Sequence, residues 1–404
     1  MSSALELDDY RGRRVTVMGL GAFGGGVGAV RFLVNRGAIV TVTDLRSSEE
    51  LSDSLGELAE TPPYRIRWGR HDEADFRDAE LIVVNPAIRR DHPLLALAER
   101  QGIPLTSEMN LFWRHHRGTL LGVTGSNGKS TTAALLHAML VQSGRRVWLG
   151  GNLGRSLLPA IEEIHSDDLV VLELSSFQLT DLDRIQASPH IAVVTNFSPN
   201  HLDWHPNLEH YRWAKQTILR WQTNADVAVL NADDADVCRW SGNGRSLRFG
   251  MLDHQADGVF LRGESAVMRT GVVEQEFPLK TWLKLPGEHN VANALAALTA
   301  AVAAGASLDD VRRGLASYQP LPHRLQFIAE VEGRRFYNDS LATTPESTMV
   351  ALRSFTAPVV LLAGGYDKHV DLTEMAGEIA CRAKAISLMG QTAQRLHESI
   401  CDRR

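Results

Sequence analysis

A chain of 404 residues with a formal net charge of -6 is long enough for two or three domains with proper cores, and no basic stripe interleaved with aromatics excuses it from holding anions at local sites; nucleic acid is excluded as the main partner. Cys238, Cys381 and Cys401 lie far apart with no CxxC spacing, which fits reduced thiols in a cytoplasm and excludes a disulfide framework or a zinc site. The acidic start Met1-Ser2-Ser3-Ala4-Leu5-Glu6-Leu7-Asp8-Asp9 has no apolar run and does not read as a signal peptide, and no segment approaches the roughly 20 apolar residues of a membrane span, so no membrane partner is expected.

Residues 15–18 read as a short β-branched strand, followed by Gly19-Leu20-Gly21-Ala22-Phe23-Gly24 and a helical run to residue 34. A second strand, 38–43, ends at Asp44. Strand, G-x-G-x-x-G, helix, strand, acid is the dinucleotide fingerprint, in which glycines such as Gly21 admit a pyrophosphate and the acid binds ribose hydroxyls. NAD satisfies it, and so does a UDP-linked sugar. Arg46 could back up a ring or a phosphate, or be a solvated charge. A third strand, 81–84, opens into Asn85-Pro86-Ala87, a carboxyl-end loop of the kind that meets ligands in open parallel sheets. A helix and the Arg- and His-rich connector 113–118 close a first domain at residue 117, with His115 and His116 read as surface residues.

The second domain, 118–320, is built around Gly122-Val123-Thr124-Gly125-Ser126-Asn127-Gly128-Lys129-Ser130-Thr131-Thr132. An apolar strand precedes it, and residues 131–142 read as a helix with Leu135, Leu136, Met139 and Leu140 on one face. A glycine loop at a helix N-terminus turns amides inward and adds about half a positive charge, so a phosphate chain is its natural guest. Lys129 would reach the terminal phosphates and the Ser130 hydroxyl a magnesium ion. Val123 stands where the strict motif wants glycine. A strand near 146–149 leads to Gly150-Gly151-Asn152-Leu153-Gly154, and the strand 168–172 delivers Glu173 to its carboxyl end, as metal ligand or as a simple strand cap. Strand 190–195 places His201 beside the nucleotide, for metal or phosphate contact. Lys215 lies on an amphipathic helix, 208–221, where a lysine ordinarily snorkels to water. Asn290 and Asn293, at the start of an apolar helix ending at Gly305, could face an adenine or phosphates, and capping by Asn290 accounts for it equally well.

Assembled, these residues resemble the Mur ligase family, and within it the branch that joins glutamate to UDP-N-acetylmuramoyl-L-alanine using ATP. The likeness runs from Val15 to about Leu388 and rests on 124–131, Gly151-Asn-Leu-Gly154, Leu172-Glu-Leu-Ser-Ser-Phe-Gln178, Asn200-His-Leu-Asp203, the 211–215 run, His289-Asn290 with Asn293, Leu321-Pro-His-Arg324 and Asn338-Asp-Ser340. It implies an α/β protein of three domains: a Rossmann-like UDP-sugar domain (1–117), a P-loop ATPase domain (118–320) and a shortened Rossmann-like glutamate domain (321–404). It further implies that Gly125, Ser126, Asn127, Gly128, Lys129, Ser130 and Thr131 hold ATP, joined by Asn290, Asn293, Arg324 and Asp339. Two magnesium ions are implied, on Ser130 with Glu173 and on His201 with a carbamylated Lys215. Gly21, Asp44, Arg46, Asn85, Asn152 and Ser175 would take the UDP-sugar. A monomer is expected, acting in the cytoplasm on small molecules.

After the stiff linker Tyr318-Gln319-Pro320-Leu321-Pro322, strands near 325–329, 335–337 and 358–362 and a helix begun by Thr344-Pro345 suggest another parallel α/β unit that binds the amino acid and closes over the nucleotide. Thr343 and Lys368 are its candidate glutamate contacts. Two features depart from the glutamate-adding branch. Ser340-Leu341-Ala342-Thr343 stands where that branch has Ser-Lys-Ala-Thr, which removes a charge-assisted contact of roughly 1.5–3 kcal/mol and resembles a sister group that adds L-glutamate; the L-isomer is therefore expected ahead of the D-isomer. The chain also ends at Arg404, before the family's Ser-Pro-Ala-x-Ala-Ser-Phe-Asp stretch, so a shortened third domain is expected. Two other readings remain: a folate-type polyglutamate ligase, opposed by the first domain with Asp44, and a catalytically silent nucleotide- and UDP-sugar-binding protein, opposed by Glu173, His201 and Lys215.

Overall fold

The computed structural model describes residues 9–21, 24–153, 156–201, 204–367 and 369–403. The first sheet is wholly parallel in the order β3-β2-β1-β4-β5. Its strands are β1 (Arg14–Met18), β2 (Ile39–Asp44), β3 (Arg65–Trp68), β4 (Leu81–Val84) and β5 (Leu105–Thr106), linked by α1 (Gly25–Asn35), α2 (Ser52–Gly56), α3 (Glu73–Arg77) and α4 (Pro93–Arg100), with α5 (Glu108–His115) following. The four apolar residues of β4 are all buried, as expected of a strand covered by helices on both faces. β3 was not expected: Arg65 and Arg67 alternate with half-buried Ile66 and Trp68, and an edge strand with two arginines carries little apolar signal. The first half of the expected connector, 113–115, is the end of α5. His115 accepts or donates to the Tyr10 hydroxyl at 3.0 Å, and His116 stacks on Phe112, so both are packed and not surface residues.

The second sheet has nine strands in the order β14-β13-β12-β11-β10-β9-β6-β8-β7. They are β6 (Thr119–Thr124), β7 (Val147–Gly151), β8 (Leu169–Glu173), β9 (Ile191–Val194), β10 (Val227–Asn231), β11 (Arg245–Gly250), β12 (Gly258–Arg262), β13 (Ser265–Thr270) and β14 (Val273–Phe277). Its helices are α6 (Lys129–Val141), α7 (Ser176–Arg184), α8 (Leu208–Arg220), α9 (Leu279–Trp282), α10 (Glu288–Ala303) and α11 (Leu308–Ser317). Parallel pairing of β6 with both β8 and β9 sets Val123 opposite Glu173 and Thr124 opposite Val194. The carboxyl ends of three strands therefore meet at one edge.

The third unit corrects the expectation of a purely parallel arrangement. β15 (Gln326–Val331) and β16 (Arg334–Asn338) form an antiparallel hairpin, because the tight Glu332-Gly333 turn, with both residues at positive φ, leaves no room for a crossover. β17 (Val359–Gly365) and β18 (Ala383–Gly390) are parallel and carry α12 (Pro345–Arg353), α13 (Thr373–Arg382) and α14 (Ala393–Cys401).

One apolar cluster runs from Phe32, Met109 and Phe112 of the first unit into Leu158, Ile161, Leu179 and Leu182 of the second. The third unit has its own, around Leu352, Ala376, Ile379 and Leu396. Among the described residues no helix is long and apolar enough to cross a membrane.

Candidate nucleotide and acyl-transfer site

The loop between β6 and α6 is shaped by what surrounds its glycines. Gly128 caps α6 at φ +80°, and a Cβ there would lie 2.2 Å from Asn293 Oδ1. No side chain caps α6, so its first-turn amides are left for a guest. Neighbouring strands brace the loop: Thr195 Oγ1 donates to Asn127 O at 2.6 Å, Asn127 N donates to Asn196 Oδ1 at 2.8 Å, and Ser126 Oγ donates to Ser198 O at 2.8 Å. Ser126 is therefore committed to the loop's own shape. Thr195, Asn196 and Ser198 were not singled out in the sequence; their one signal was position, at the carboxyl end of the strand next to the phosphate loop.

Two lysines converge on this loop. Lys129 Nζ donates to Gly125 O and Ser126 O at 3.0 and 2.9 Å. Lys215, 1 % exposed, donates to Gly125 O at 2.7 Å and lies over the Tyr211 ring. Lys215 does not snorkel to water, because its helix turns this face to the loop. Burial pulls both ammonium groups below their ordinary range, Lys215 well below it with Lys129 adding repulsion, while the Glu173 carboxylate acts in the opposite sense on each. Two cations set against carbonyls favour a polyanion between them.

Glu173 ends β8 and is buried. Asn152 Nδ2 donates to its Oε1 at 3.0 Å, and its Oε2 has no partner. Gly151 at φ +84° lets this approach happen, since a Cβ there would meet Glu173 O at 2.2 Å. An unpartnered buried carboxylate oxygen beside the phosphate loop suits a hard cation, and with the buried Ser130 hydroxyl it fits one magnesium ion. The second expected metal finds less: among the described residues no three His, Cys, Asp or Glu side chains gather to hold a metal, and Lys215 is engaged as a donor. His201 is exposed at φ +54°, edge-on to Phe177. The buried His205, overlooked in the sequence, anchors that turn: its amide donates to His201 O at 2.9 Å, and its ring nitrogens lie 2.9 Å from Ser176 Oγ and 2.8 Å from His210 Nδ1.

Asn293 lies against the loop, with Thr132 Oγ1 donating to its Oδ1 at 3.3 Å. Asn290 does not cap α10; Gly287 occupies that position and Asn290 Nδ2 donates to Pro286 O at 2.7 Å. From the third unit, Arg324 is near enough to repel the Lys129 charge, and Asp339 accepts from Leu325 N at 2.9 Å. Burial raises the Asp339 carboxyl, with Leu325 and Arg324 opposing. Thr343 is exposed, and Lys368 lies outside the described residues, as do Gly154, Leu202 and Asp203 of the quoted motifs.

In the first sheet, Asp44 is turned to its own fold. Its Oδ2 accepts from Leu20 N at 2.9 Å and Gly21 N at 3.3 Å, and its Oδ1 accepts from Arg46 N at 3.0 Å and Arg46 Nε at 3.3 Å. Burial opposes its charge, yet Arg46 and the Gly21 amide prevail and hold the carboxyl below its usual value. Asn85 buttresses the same turn: its Nδ2 donates to Gly19 O at 3.3 Å, and a Cβ on Gly21, at φ +72°, would lie 2.8 Å from it. Ser175 is likewise engaged, as the N-cap of α7 in a capping box with Gln178. Arg46 is partly exposed and is held by Asp44, its Nη2 donating to Oδ2 at 3.2 Å.

Residues 13–107 match the Mur ligase MurD-like N-terminal domain, and residues 123–301 match the Mur ligase middle domain. UDP-N-acetylmuramoylalanine--D-glutamate ligases from Roseiflexus sp. and Symbiobacterium thermophilum are 40% and 38% identical, over 95% and 96% of this chain and 84% and 85% of theirs. Among solved structures, UDP-N-acetylmuramate-alanine ligase MurC from Thermotoga maritima superimposes with a TM-score of 0.65 at 20% identity, covering 96% of this chain and 88% of that one. MurF from Acinetobacter baumannii gives 0.59, also at 20% identity, covering 96% and 83%. The relatives overturn the expected L-glutamate preference, since those 36–40% identical bear the D-glutamate name. The physical reason is that the expectation rested on Leu341 alone, and one missing charge-assisted contact bears on how tightly an acidic substrate is held, not on which mirror form it has.

Proposed function

Because the chain belongs to the Mur ligase family of ATP-dependent amide-bond-forming ligases, we propose that it joins D-glutamate to UDP-N-acetylmuramoyl-L-alanine in peptidoglycan precursor synthesis. A carboxylate is a poor acylating agent, so ATP first phosphorylates the alanyl carboxylate, releasing ADP. The D-glutamate amine then attacks the acyl phosphate, and phosphate leaves from the tetrahedral intermediate. Catalysis of this kind is chiefly positioning and cationic stabilisation of phosphate charge. The observation that carries the reading is the convergence of Lys129 and Lys215 on the Gly125 carbonyl, beside a buried Glu173 with one oxygen unpartnered.

In this assignment Gly125 to Thr131 cradle the triphosphate, Lys129 bears on the transferred group, and Asn293 and Arg324 border the nucleotide. Ser130 and Glu173 would hold a magnesium ion, which neutralises phosphate charge when bound; a second ion would need Lys215 in its carbamylated form, together with His201, since the ammonium that donates to Gly125 cannot ligate a cation. Arg46 and Asn152 serve the UDP-sugar, with Asp44, Asn85 and Ser175 shaping its site from behind, and Thr343 faces the incoming amino acid. We assign domain limits of 1–117, 118–320 and 321–404, and take the enzyme as a cytoplasmic monomer, a location that suits its free cysteines.

The test is phosphate release from ATP in the presence of each substrate alone and both together. Release should require UDP-N-acetylmuramoyl-L-alanine and D-glutamate jointly, with L-glutamate a poor substitute. ATP left unspent with the complete mixture refutes the reading.

A further inference from the structure

Arg89 and Arg90 are adjacent in sequence and opposite in fate. Arg89 pairs with Asp91 in solvent, Nη2 to Oδ2 at 2.7 Å. Arg90 turns inward from the loop after β4 and meets Asp181 of α7, the two side chains being 17% and 3% exposed. Nε donates to Asp181 Oδ1 at 3.0 Å and Nη2 donates to the same oxygen. Asn110 of α5 joins them, its Nδ2 donating to Asp181 O at 2.9 Å. Arg90 Nη1, Asp181 Oδ2 and Asn110 Oδ1 are buried without partners.

This is a poor arrangement for stability alone. Both charges are desolvated, the contact is not the two-oxygen fork that arginine and carboxylate favour, and an apolar pair of similar volume would stabilise the interior as well or better. What an ion pair adds over apolar packing is register: the Leu179 and Leu182 contacts around it can slide, while a directional charged contact cannot. Its place gives that register a use. Arg90 lies five residues beyond Asn85, and Asp181 six residues beyond Ser175, about 9 Å along α7 at 1.5 Å per residue. One end of each segment thus belongs to the UDP-sugar side, and Glu173 ends β8 two residues before the N-cap of α7.

We propose that the Arg90–Asp181 pair is a positioning device that locks the 85–91 loop of the first sheet to α7, so that a UDP-linked substrate held by the first unit presents its carboxylate at the Glu173 end of β8. The proposal rests on the assigned function. A second bridge from α7 to the first unit, Arg184 to Glu99 of α4 at 2.6 Å, is exposed and contributes little to that lock.

The test uses the full chain. The double variant Arg90→Met/Asp181→Leu keeps the volume apolar and removes both charges, and Arg90→Lys keeps the charge but not the two-nitrogen hold. Binding of UDP-N-acetylmuramoyl-L-alanine and of ATP is measured separately by calorimetry, beside melting temperature and the split between KM and kcat. The double variant should melt close to the parent and bind ATP within about twofold of it, while its Kd for the UDP substrate rises about tenfold or more. Arg90→Lys should show about threefold. A folded double variant that binds the UDP substrate like the parent overturns the proposal, as does a loss falling equally on ATP. If the double variant fails to fold, an unchanged UDP-substrate affinity in Arg90→Lys overturns it. A parent that binds ATP and no UDP substrate overturns the functional assignment, and this proposal with it.

Discussion

Two strand–glycine–helix turns lie in this molecule, and they answer their amides differently. In the first, Leu20 N and Gly21 N are met by the Asp44 carboxylate, an anion supplied from within the fold. In the second, where α6 begins as free of a capping side chain as α1 does, the side chains turned on the loop's own backbone are those of Lys129 and Lys215. Similar backbone geometry thus serves as scaffold in one place and as receptor in the other. The difference lies in whether the neighbouring strand ends in a carboxylate aimed at the loop or set aside from it, as Glu173 is by Asn152.

The sharpest way to break the comparison is Lys129→Ala. Loss of a cation held against developing phosphate charge should lower kcat about 10²–10³-fold, with UDP-substrate binding retained; a loss under about fivefold would mean that the second turn is no receptor. Gly128→Ala comes next. A Cβ there meets Asn293 Oδ1 at 2.2 Å with φ at +80°, so ATP affinity should fall while the Gly21→Ala variant, whose obstacle is the end of the Asn85 side chain, leaves ATP affinity intact. Calorimetric titration with ATP separates the two.

Asp44→Asn should cost roughly 1.5–3 kcal/mol, the usual worth of a charged hydrogen-bond partner, read as weaker UDP-substrate binding and a lower melting temperature with ATP affinity unchanged. If ATP affinity falls instead, the two turns are coupled. Because the folded carboxyl titrates below its ordinary 3.8, its stabilisation is present above that value and is lost as pH falls through the lower folded one.

The last test concerns the joint between the regions, and is read as a slope with pH. Glu108 of α5 receives the Ser156 hydroxyl, and desolvation, with that bond opposing, raises its carboxyl from 4.5 to about 7. The folded state then holds a proton that the unfolded chain releases, so stability from this group is full below pH 4.5 and declines as pH rises to about 7. Melting curves across that window should slope downward in the parent and flatten in Glu108→Gln.

The elements around both turns could be read from the sequence because each rests on local physics: buried β-branched strands, glycines at positive φ, an apolar face on a helix. Gly128, Lys129 and Glu173 follow from spacing along a parallel sheet, where carboxyl ends must meet. The strands β10 to β14 were missed: in β11 and β14, Arg245, Arg248 and the exposed Val273-Glu274-Gln275-Glu276 break the apolar pattern, whereas the buried runs 228–230 of β10 and 259–261 of β12 did carry it. Lys215 could be found only through family likeness, for a lysine on an amphipathic helix reads as solvated until the loop is packed against it. Ser175, Asp44 and Asn85 show the converse, as plausible ligand contacts whose polar atoms bind the protein itself.

By itself, then, the sequence determined where a phosphate chain can sit and which strands frame it, since these depend on residues adjacent in the chain. Tertiary structure alone decided which charges are buried, which carboxylate oxygen is left without a partner, and that Arg90 meets Asp181. Those outcomes depend on desolvation and on partners distant in sequence, and neither is set until the sheets and helices have closed around them.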